Sequence, residues 1–381
     1  MTEYLSKDAA GEVALPDGAS VAMTTKGLRS WTPLVSIVMP VLNEEAYLRG
    51  TLEMLLDQEY PRAAMEILVV DGGSTDGTRE IARAYERRGE PVRLVHNLRR
   101  WSSAARNRGV SHARGEIILV IDGHCELPDR RNLANLMRAF EKSDADIVGR
   151  PQPLIVRGAS PLQQAIAWAR ACWLGHHPDS YIYCEVDQFV PALSVGAAYR
   201  RSVFDRIGYF DESFDACEDV DFNYRADQAG LSCYLAWQAR VHYHPRHTLG
   251  ELFRQLARYG RGRVRLSRKH PRTWSWKSMA PAAGLATWLA LLLASPWSAS
   301  ALTLFAAANA AYALVLLGTT CGIAMQRGWS RPVAWLPAVF ATIHFAAGFG
   351  ELVEGLAGWR RNAMNSPSSS EGDPAAVRGR S

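Results

Sequence analysis

One stretch of the sequence limits the folds open to this chain more than any other: residues 278–326 contain no Asp, Glu, Lys, Arg or His. A helix that crosses a bilayer once needs about 20 apolar residues. These 49 residues are therefore enough for two crossings. Ser295 and Pro296 provide a turn near the middle, and a further apolar segment covers residues 333–350. The sequence thus predicts a membrane region at residues 278–358 with two or three helices.

The placement of basic residues predicts the orientation of this region. The net charge is +5, and nine Lys and Arg but no Asp or Glu lie between residues 254 and 277. Basic segments beside membrane helices stay in the cytoplasm, where anionic headgroups attract them. We therefore expect residues 254–277 to form a basic juxtamembrane, amphipathic segment. The domain before it should face the cytoplasm at the inner (plasma) membrane.

Two alternatives concern the same charges. A third full crossing would leave Arg360 and Arg361 outside the cell, against the preference for basic residues inside. The third apolar segment could therefore be re-entrant or lie at the membrane interface instead of crossing the membrane. A basic block can also bind nucleic acid, but this one lacks interleaved aromatic residues and adjoins an apolar stretch. We expect a membrane partner and no nucleic acid.

The cysteines and the two ends of the chain complete this outline. Six cysteines are scattered without a Cys-x-x-Cys pair, which argues against a structural zinc site or a disulfide framework. Residues 1–33 are polar and predict a flexible segment without a cleavable signal peptide. Residues 359–381 are rich in Ser, Pro, Gly and charge, which predicts a disordered tail.

Between these segments, apolar runs alternate with helical stretches. The predicted order is strand 35–39, helix 44–58, strand 66–70, helix 78–88, strand 92–96, helix 103–113 and strand 116–121. Such alternation is typical of an α/β fold, a mostly parallel sheet with helices on both faces. Later in the chain we expect a helix at about 161–174 and a loop entering a helix at 215–230. Polar clusters at 40–44, 71–76 and 122–124 follow three strand ends, where ligands bind in such sheets.

Two motifs at these strand ends carry a resemblance. They read SIVMPVLNEE at residues 36–45 and VDGGSTDGT at residues 70–78. With them, the chain from about Ser36 to Arg265 resembles the inverting glycosyltransferases of family 2, which have the Rossmann-like GT-A fold. Within that family it resembles the membrane-associated transferases of succinoglycan-type exopolysaccharide assembly. The resemblance implies a GT-A catalytic domain at residues 34–253 and a nucleotide-sugar donor.

The resemblance also implies which residues bind the donor. Pro40, Asn43 and Glu44 would line the nucleotide pocket, and Asp71 would accept a hydrogen bond from a uracil-like base. Arg106, in a stretch that also looks like the family, would offset the charge of the diphosphate. The donor is therefore expected to be a UDP-sugar.

The basic segment contributes further donor-binding candidates. Gln255 and Arg258, followed by Tyr259, resemble the Gln-x-x-Arg-Trp signature of membrane-embedded members, with Tyr in place of Trp. Arg258 would hold the departing diphosphate. Of the three histidines at 242, 244 and 247, His244 is a further candidate near the diphosphate, as is Arg246.

A metal site is implied at the end of the fourth predicted strand. Asp122-Gly-His124 stands where the family has its Asp-x-Asp metal motif. A carboxylate suits Mg or Mn, and an imidazole suits Mn better than Mg. The expected cofactor is therefore a divalent metal, Mn or Mg. His124 could instead serve only as a hydrogen-bond donor beside the metal.

Inversion requires a base that deprotonates the acceptor hydroxyl. Glu218 and Asp219 resemble the Glu-Asp motif of the family, which makes Asp219 the expected base and Glu218 its catalytic neighbour. Asp221 is the rival from the same segment. Acidic residues are also favoured in the first turn of any helix, which is the structural alternative for all three.

These expectations combine into one function with two alternatives. The chain is predicted to transfer a hexose-type sugar from a nucleotide sugar to a lipid-linked glycan in exopolysaccharide or cell-envelope polysaccharide synthesis. Direct transfer to a polyprenyl phosphate is the first alternative. A membrane scaffold that binds nucleotide without catalysis is the second.

Overall fold

The computed structural model describes residues 31–176 and 180–365. The first half follows the predicted alternation. Its elements are β1 (Val35–Val41), α1 (Glu45–Leu56), β2 (Met65–Asp71), α2 (Thr78–Arg87), β3 (Val92–His96), α3 (Ser102–His112) and β4 (Ile117–Val120). β1 pairs in parallel with β2 and β4, and β2 pairs in parallel with β3. All residues of β2 and β4 are buried, as expected for apolar strands covered on both faces.

The second half completes the sheet with shorter elements. They are β5 (Cys125–Glu126), α4 (Asn132–Ser143), β6 (Ile147–Arg150), α5 (Pro161–Arg170), β7 (Gln188–Phe189), β8 (Gly196–Arg200), α6 (Arg201–Ile207), α7 (Glu218–Gln228), β9 (Cys233–Leu235) and β10 (His242–Tyr243). The eight-stranded sheet has the order β3-β2-β1-β4-β8-β6-β9-β7. β8 runs antiparallel between β4 and β6, so the sheet is mixed but parallel in its first half. The predicted α/β class is confirmed.

Close packing sets the position of α3 against the sheet. A Cβ atom at Gly109 would lie only 2.2 Å from Cγ1 of Val38 in β1. The absence of a side chain therefore lets the helix approach the strand closely. This contact holds α3, the helix that carries Arg106, against β1.

The C-terminal part is helical. It contains α8 (Leu249–Lys269), α9 (Trp276–Ala294), α10 (Ala299–Arg327) and α11 (Leu336–Asn365). Three segments, Trp276–Ala294, Ala299–Arg327 and Arg331–Ala357, are long and apolar enough to cross a membrane. The first two are largely exposed on the protein, whereas 44% of the third is buried against other parts of the chain. The predicted C-terminal membrane helices are therefore confirmed in length and composition.

Small residues let α11 pack closely on α8. A Cβ atom at Gly350 would lie 2.0 Å from the carbonyl oxygen of Ala257, and one at Gly260 would lie 2.4 Å from that of Ala347. Near the end of this contact, Glu354 of α11 accepts hydrogen bonds from arginines of α8. The basic segment predicted at 254–277 is thus mostly helix α8, covered on one side by α11.

Exposed tryptophans mark the ends of the apolar helices. Trp274 and Trp276 stand at the start of α9, Trp297 lies in the turn to α10, and Trp329 follows α10. Tryptophan is enriched at the interface between lipid and water, where its ring is apolar and its N–H is solvated. Their positions are those expected for helices that enter and leave a bilayer.

Candidate active site

One large cavity lies at the carboxyl end of β4 and has a volume of about 1340 Å³. Many of the residues singled out by sequence lie along its wall. They are Arg106, Asp122, His124, Glu218, Asp219, His244, Arg246, Gln255 and Arg258. These residues come from elements that are far apart in sequence. The fold therefore brings the expected metal, base and phosphate-binding residues to one place.

Asp122 and His124 occupy a tight turn after β4. A Cβ atom at Gly123 would lie 2.9 Å from Cγ1 of Val41, so any side chain here would force a neighbouring group to shift. The hydroxyl of Thr51 donates to the carbonyl oxygens of Gly123 and Cys125, at 3.0 Å each. The backbone between Asp122 and β5 is thus held from α1.

His124 is paired with a carboxylate that sequence reasoning had placed in the nucleotide pocket. Nδ1 of His124 lies 2.9 Å from Oε1 of Glu44. Burial lowers the pKa of His124, but the hydrogen bond to Glu44 and the charge of Asp122 outweigh it, and the pKa is raised. A histidine that ligates a metal commonly gives its other ring N–H to a carboxylate. The pair leaves Nε2 as the ring nitrogen available for a metal.

The donor set fits a divalent metal that also binds the substrate. Among the described residues, no group of three or more His, Cys, Asp and Glu is arranged to hold a metal. Asp122 and His124 supply one carboxylate and one imidazole. Magnesium and manganese sites in nucleotide enzymes often combine few protein ligands with phosphate oxygens. The two residues suit a divalent metal that takes its remaining ligands from outside the protein.

The three histidines around residue 244 do not form a metal cluster in the described structure. His247 Nε2 lies 3.0 Å from the hydroxyl of Tyr47, and His244 Nε2 lies 3.3 Å from Oε1 of Glu126. Only His244 of the three lines the cavity. Burial lowers the pKa of His244, which favours the neutral ring.

Arg106 is buried beside acidic groups. Its Nη2 lies 3.4 Å from Oε1 of Glu218, and the two side chains are only 13% and 7% exposed. Burial lowers the pKa of Arg106, whereas Glu218, Asp219 and Asp122 raise it, and the net shift is upward. The Arg106 guanidinium therefore stays positively charged and interacts with both the expected base and the expected metal ligand.

Asp219 and Asp221 differ sharply in their surroundings. Asp221 is fully buried, and its carboxylate lies within 3.1 Å of Arg225 Nε, 2.7 Å of Lys269 Nζ and 2.8 Å of His270 Nε2. Asp219 is half-buried and lines the cavity; one of its oxygens accepts a hydrogen bond from the N–H of Val220. Within the described ranges, Asp219 has no ion-pair partner. The geometry therefore favours Asp219 over Asp221 as the residue that meets a substrate.

Asp71 and the first two motifs lie beside this cavity but not in its described lining. Asp71 is buried, and its carboxylate accepts hydrogen bonds from the N–H groups of Gly73 and Ser74. Asn43, at a positive φ of 57°, donates its N–H to Ser74 and accepts from Thr75. The two motifs are thus bonded to each other. Asp71, the expected base contact, therefore lies outside the described lining of the cavity, whereas Asp122 and Asp219 share that lining.

Pro40 and Asp76 have structural positions in the same region. Pro40 lies in β1 opposite Val70 of β2. Asp76 accepts hydrogen bonds from the N–H of Thr78, at 3.1 Å, and from the N–H of Glu45, also at 3.1 Å. Gly77 is the N-cap residue of α2, which has no side-chain cap. The Asp76 carboxylate, one residue earlier, instead bonds the first helical N–H and ties α1 to α2.

Gln255 and Arg258 face the cavity from α8. The amide of Gln255 donates to the hydroxyl of Tyr259 at 3.4 Å, and the Arg258 guanidinium lies 6.0 Å from the centre of the Tyr259 ring. All three residues line the cavity. The predicted signature therefore forms one polar surface on the first half of this helix.

Sequence reasoning missed several charged residues of the lining. Arg150 is 2% exposed and donates to the carbonyl oxygen of Val120 from Nη2. Arg150 ends the apolar run of β6, and a charged residue at a strand end could have been predicted to face the site. Arg263 and Lys277 also line the cavity, but as part of the basic block they had been assigned to lipid headgroups. Tyr243, in the two-residue strand β10, gave no sequence signal.

Comparisons with known proteins agree with this geometry. The profile of Glycosyl transferase family 2 matches residues 36–208. The succinoglycan biosynthesis protein ExoA of Rhizobium meliloti (strain 1021) is 31% identical over 278 residues, which cover 70% of this chain and 83% of ExoA. A dolichyl N-acetyl-α-D-glucosaminyl phosphate 3-β-D-2,3-diacetamido-2,3-dideoxy-β-D-glucuronosyltransferase of Methanococcus voltae is 23% identical over 62% of this chain and 74% of its own length.

A solved structure shows the same fold. The mannosyltransferase PcManGT from Pyrobaculum calidifontis, in complex with GDP-Man and Mn²⁺, aligns with a TM-score of 0.53 and 22% identity. The alignment covers 85% of this chain and 88% of PcManGT. The GT-A fold expected from the sequence is therefore confirmed. With ExoA matched over most of its length, this chain belongs to glycosyltransferase family 2, and it is a transferase.

Proposed function

We propose that this protein is an inverting glycosyltransferase that moves a sugar from a UDP-sugar to a lipid-linked glycan. The product would serve exopolysaccharide or cell-envelope polysaccharide synthesis, with the catalytic domain on the cytoplasmic face of the inner membrane. One observation carries the proposal. Asp122, His124 and Asp219 line a single cavity that also reaches the apolar helices α9, α10 and α11.

The relatives support the separate parts of this proposal. ExoA is named for succinoglycan biosynthesis. The Methanococcus voltae enzyme is named for an acceptor sugar linked to dolichyl phosphate, which is a lipid-linked acceptor. PcManGT was solved with a nucleotide sugar and Mn²⁺. The choice of UDP rests on Asp71, whose place in the second motif is that of a base-binding carboxylate.

The donor would be held by residues on two sides of its diphosphate. Asp122 and His124 would hold a divalent metal, Mn or Mg, which would offset the negative charge of the diphosphate. Arg106, fixed by Glu218, and Arg258, on α8, would contact the diphosphate as bidentate cations. Gln255 would support this contact through Tyr259. Glu44 would orient His124, and Asn43 and Pro40 would shape the base pocket.

Asp219 would then act on the acceptor. Its carboxylate takes the proton of the acceptor hydroxyl while the hydroxyl oxygen bonds to the anomeric carbon of the donor sugar. The bond from that carbon to the diphosphate oxygen breaks, and the nucleoside diphosphate leaves with the electron pair. A positioned base of this kind contributes about 10²–10⁴-fold to a rate. Attack opposite the leaving group inverts the anomeric configuration.

A non-catalytic nucleotide-binding scaffold is the alternative of another class. Such a protein needs no carboxylate aimed at the space beside its ligand. Asp219 faces the cavity and is not engaged in an ion pair in the described structure, whereas its neighbour Asp221 is fully engaged. This contrast favours an enzyme.

A donor screen tests the proposed function. The purified full-length chain, with Mn²⁺ and membrane lipid extract, is supplied with radiolabelled UDP-sugars and GDP-mannose. We expect one UDP-sugar to label a lipid product, and mass spectrometry of that product to show a glycan linked through diphosphate. A product in which the sugar is joined directly to a polyprenyl monophosphate would show that the acceptor is a polyprenyl phosphate and not a lipid-linked glycan. Binding of UDP without turnover of any donor would favour the scaffold.

A further inference from the structure

The cavity that contains Asp122 and Asp219 extends beyond the catalytic domain. It continues along the membrane helices, where it is lined by Leu285, Trp288 and Leu291 of α9, Tyr312 of α10 and Phe345 of α11. One cavity thus joins a reactive carboxylate to an apolar surface. A substrate that fills both ends is polar where it meets Asp219 and has a long apolar part.

The described part of the cavity wall carries more cations than carboxylates. Among the described residues, seven Lys or Arg side chains line it, against five carboxylates. The cations are Arg106, Arg150, Arg170, Arg246, Arg258, Arg263 and Lys277, and the carboxylates are Asp122, Asp215, Glu218, Asp219 and Glu351. A divalent metal and the diphosphate of a donor largely cancel each other. The excess of positive charge is therefore left for another anionic group.

Some arginines of helix α8 are held in ion pairs, whereas another lines the cavity. Arg265 pairs with Asp215 and Glu354, at 2.5 and 3.1 Å, and Arg268 pairs with Glu354 at 3.2 Å. Arg263, on the same helix, lines the cavity instead. In the part of the chain that the structure describes, it lies in no ion pair. Only one of these three arginines is thus available to a ligand.

The backbone fixes the place of Arg263. A Cβ atom at the adjacent Gly262 would lie 2.8 Å from Sγ of Cys217, two residues before Asp219. Two residues earlier, a Cβ atom at Gly260 would lie 3.1 Å from the backbone nitrogen of Glu351 in α11. This segment of α8 therefore lies between the start of α7, which carries Asp219, and the membrane region.

Lys277, in the first turn of α9, is a second cation of the same cavity. It lines the cavity and, within the described ranges, has no carboxylate at ion-pair distance. Glu351, the carboxylate of α11 in the cavity wall, accepts a hydrogen bond from the N–H of Ala282 at 2.9 Å. That bond joins α11 to α9 about one turn after Lys277.

We propose that Arg263 and Lys277 bind the phosphate of a polyprenyl-type lipid that carries the acceptor glycan, and that its hydrocarbon chain lies along α9 and α10. Guanidinium and ammonium groups are the usual protein partners of phosphate. The inference rests on the proposed function, because it names the anchoring site of the same acceptor. It differs from general attraction to headgroups, since the two cations line the reaction cavity.

Binding of defined lipids tests the proposal. The full-length chain, in nanodiscs of neutral phosphatidylcholine, is titrated with radiolabelled decaprenyl diphosphate and decaprenyl phosphate. We expect Arg263→Gln and Lys277→Gln each to raise the Kd about tenfold, the loss of one charge-assisted contact. Arg263→Lys, which keeps the charge, should lose less. Arg261→Gln is the matched control, because Arg261 is on α8 but not in the described lining of the cavity.

Competitors separate the sources of phosphate. Decaprenol, phosphatidylglycerol and inorganic pyrophosphate should each compete poorly with decaprenyl diphosphate. Equal Kd values for the Arg263→Gln and Arg261→Gln variants, equal binding of decaprenol, or displacement by phosphatidylglycerol would overturn the site. Thermal unfolding of each variant shows whether a loss of binding comes from misfolding.

Transfer assays separate this proposal from the proposed function. If the wild type transfers sugar and the KM for the lipid acceptor is the same in the Arg263→Gln and Arg261→Gln variants, the phosphate site is wrong. The proposed enzyme activity is then still supported. If no donor is turned over but Arg263→Gln still weakens phosphate-dependent lipid binding, the proposed enzyme activity is wrong. The phosphate site is then still supported.

Discussion

Glu44 and His124 form a contact that changes the role of Glu44. The resemblance to the family places Glu44 in the nucleotide pocket, but its Oε1 lies 2.9 Å from Nδ1 of His124. This chain has His where the family has the second Asp of its metal motif. A histidine ligand needs its ring orientation and tautomer fixed by the group at its other nitrogen. A histidine at this position of the motif would therefore be oriented for metal binding by its contact with Glu44.

The first prediction concerns this pair. Glu44→Gln should weaken Mn²⁺ binding by about 10–100-fold, the usual effect of losing such a partner. Saturating Mn²⁺ should restore much of the transfer rate. Electron paramagnetic resonance of bound Mn²⁺ and activity as a function of Mn²⁺ measure the two effects. An unchanged Mn²⁺ affinity would show that Glu44 does not act through His124.

The second prediction concerns the buried neighbour of the proposed base. Asp221→Asn should lower the free energy of unfolding by about 3 kcal/mol, because it leaves the cations around a fully buried carboxylate without compensation. Thermal unfolding of the purified protein measures this change. The exposed Asp205→Asn variant serves as the matched control. An Asp221→Asn protein as stable as that control would contradict the structural role.

Residues that follow strand ends could be predicted, and residues on irregular segments could not. Asp122, at the end of β4, and Asp219, in the first turn of α7, line the expected cavity because motif and element together fix their place. Asp71 is the last residue of β2, and its carboxylate accepts hydrogen bonds from the turn that follows, which the spacing of the motif does not reveal. Arg150 and Tyr243 depend on short strands whose pairing is set by the whole sheet.

At the scale of elements, long apolar runs were predictable and short pairings were not. β3 (Val92–His96) lies where it was predicted, and the other three early strands agree to within two residues at each end. The ribbon of β5 and β10 has two residues per strand, which is too short for a periodic signal. The contact of α8 with α11 depends on Gly260 and Gly350, and small residues reveal a close approach only when the partner is known.

The third prediction tests that contact. Gly350→Ala places a Cβ atom 2.0 Å from the carbonyl oxygen of Ala257. Helix α11 must therefore move away from α8. Overpacking of this kind costs about 1–3 kcal/mol. We expect a lower unfolding temperature and faster proteolysis near α11. Gly355→Ala, on the same helix with open space around its Cβ, should behave like the wild type. Similar behaviour of both variants would contradict the packing.

At the scale of the whole molecule, the contacts of α11 bear on how the chain meets the membrane. Near its start, Leu336 and Phe340 share a buried cluster with Ile166 of α5. Farther along, Glu354 is paired with Arg265 and Arg268 of α8. Both parts of the helix therefore contact elements that precede the membrane region. This arrangement favours the interfacial alternative for the third apolar segment.

The fourth prediction follows from those contacts and from the basic residues at 360–361. Two crossings, by α9 and α10, would leave the C-terminus in the cytoplasm together with the catalytic domain. A fluorescent-protein fusion at the C-terminus should therefore fluoresce, and an alkaline phosphatase fusion there should be inactive. A cysteine introduced at Trp297, in the turn between α9 and α10, should react with an impermeant thiol reagent from outside. An active phosphatase fusion would establish a third crossing.

The central claim is that Asp219 removes the acceptor proton inside the cavity that Asp122 and His124 share. Transfer by the Asp219→Asn variant, measured beside its UDP-sugar and Mn²⁺ affinities, tests it most directly, with Asp205→Asn as the control. We predict a transfer rate lower by about 10³-fold, with donor and metal affinities within about twofold of the wild type. Transfer at the wild-type rate, or loss of donor binding together with transfer, would contradict the claim.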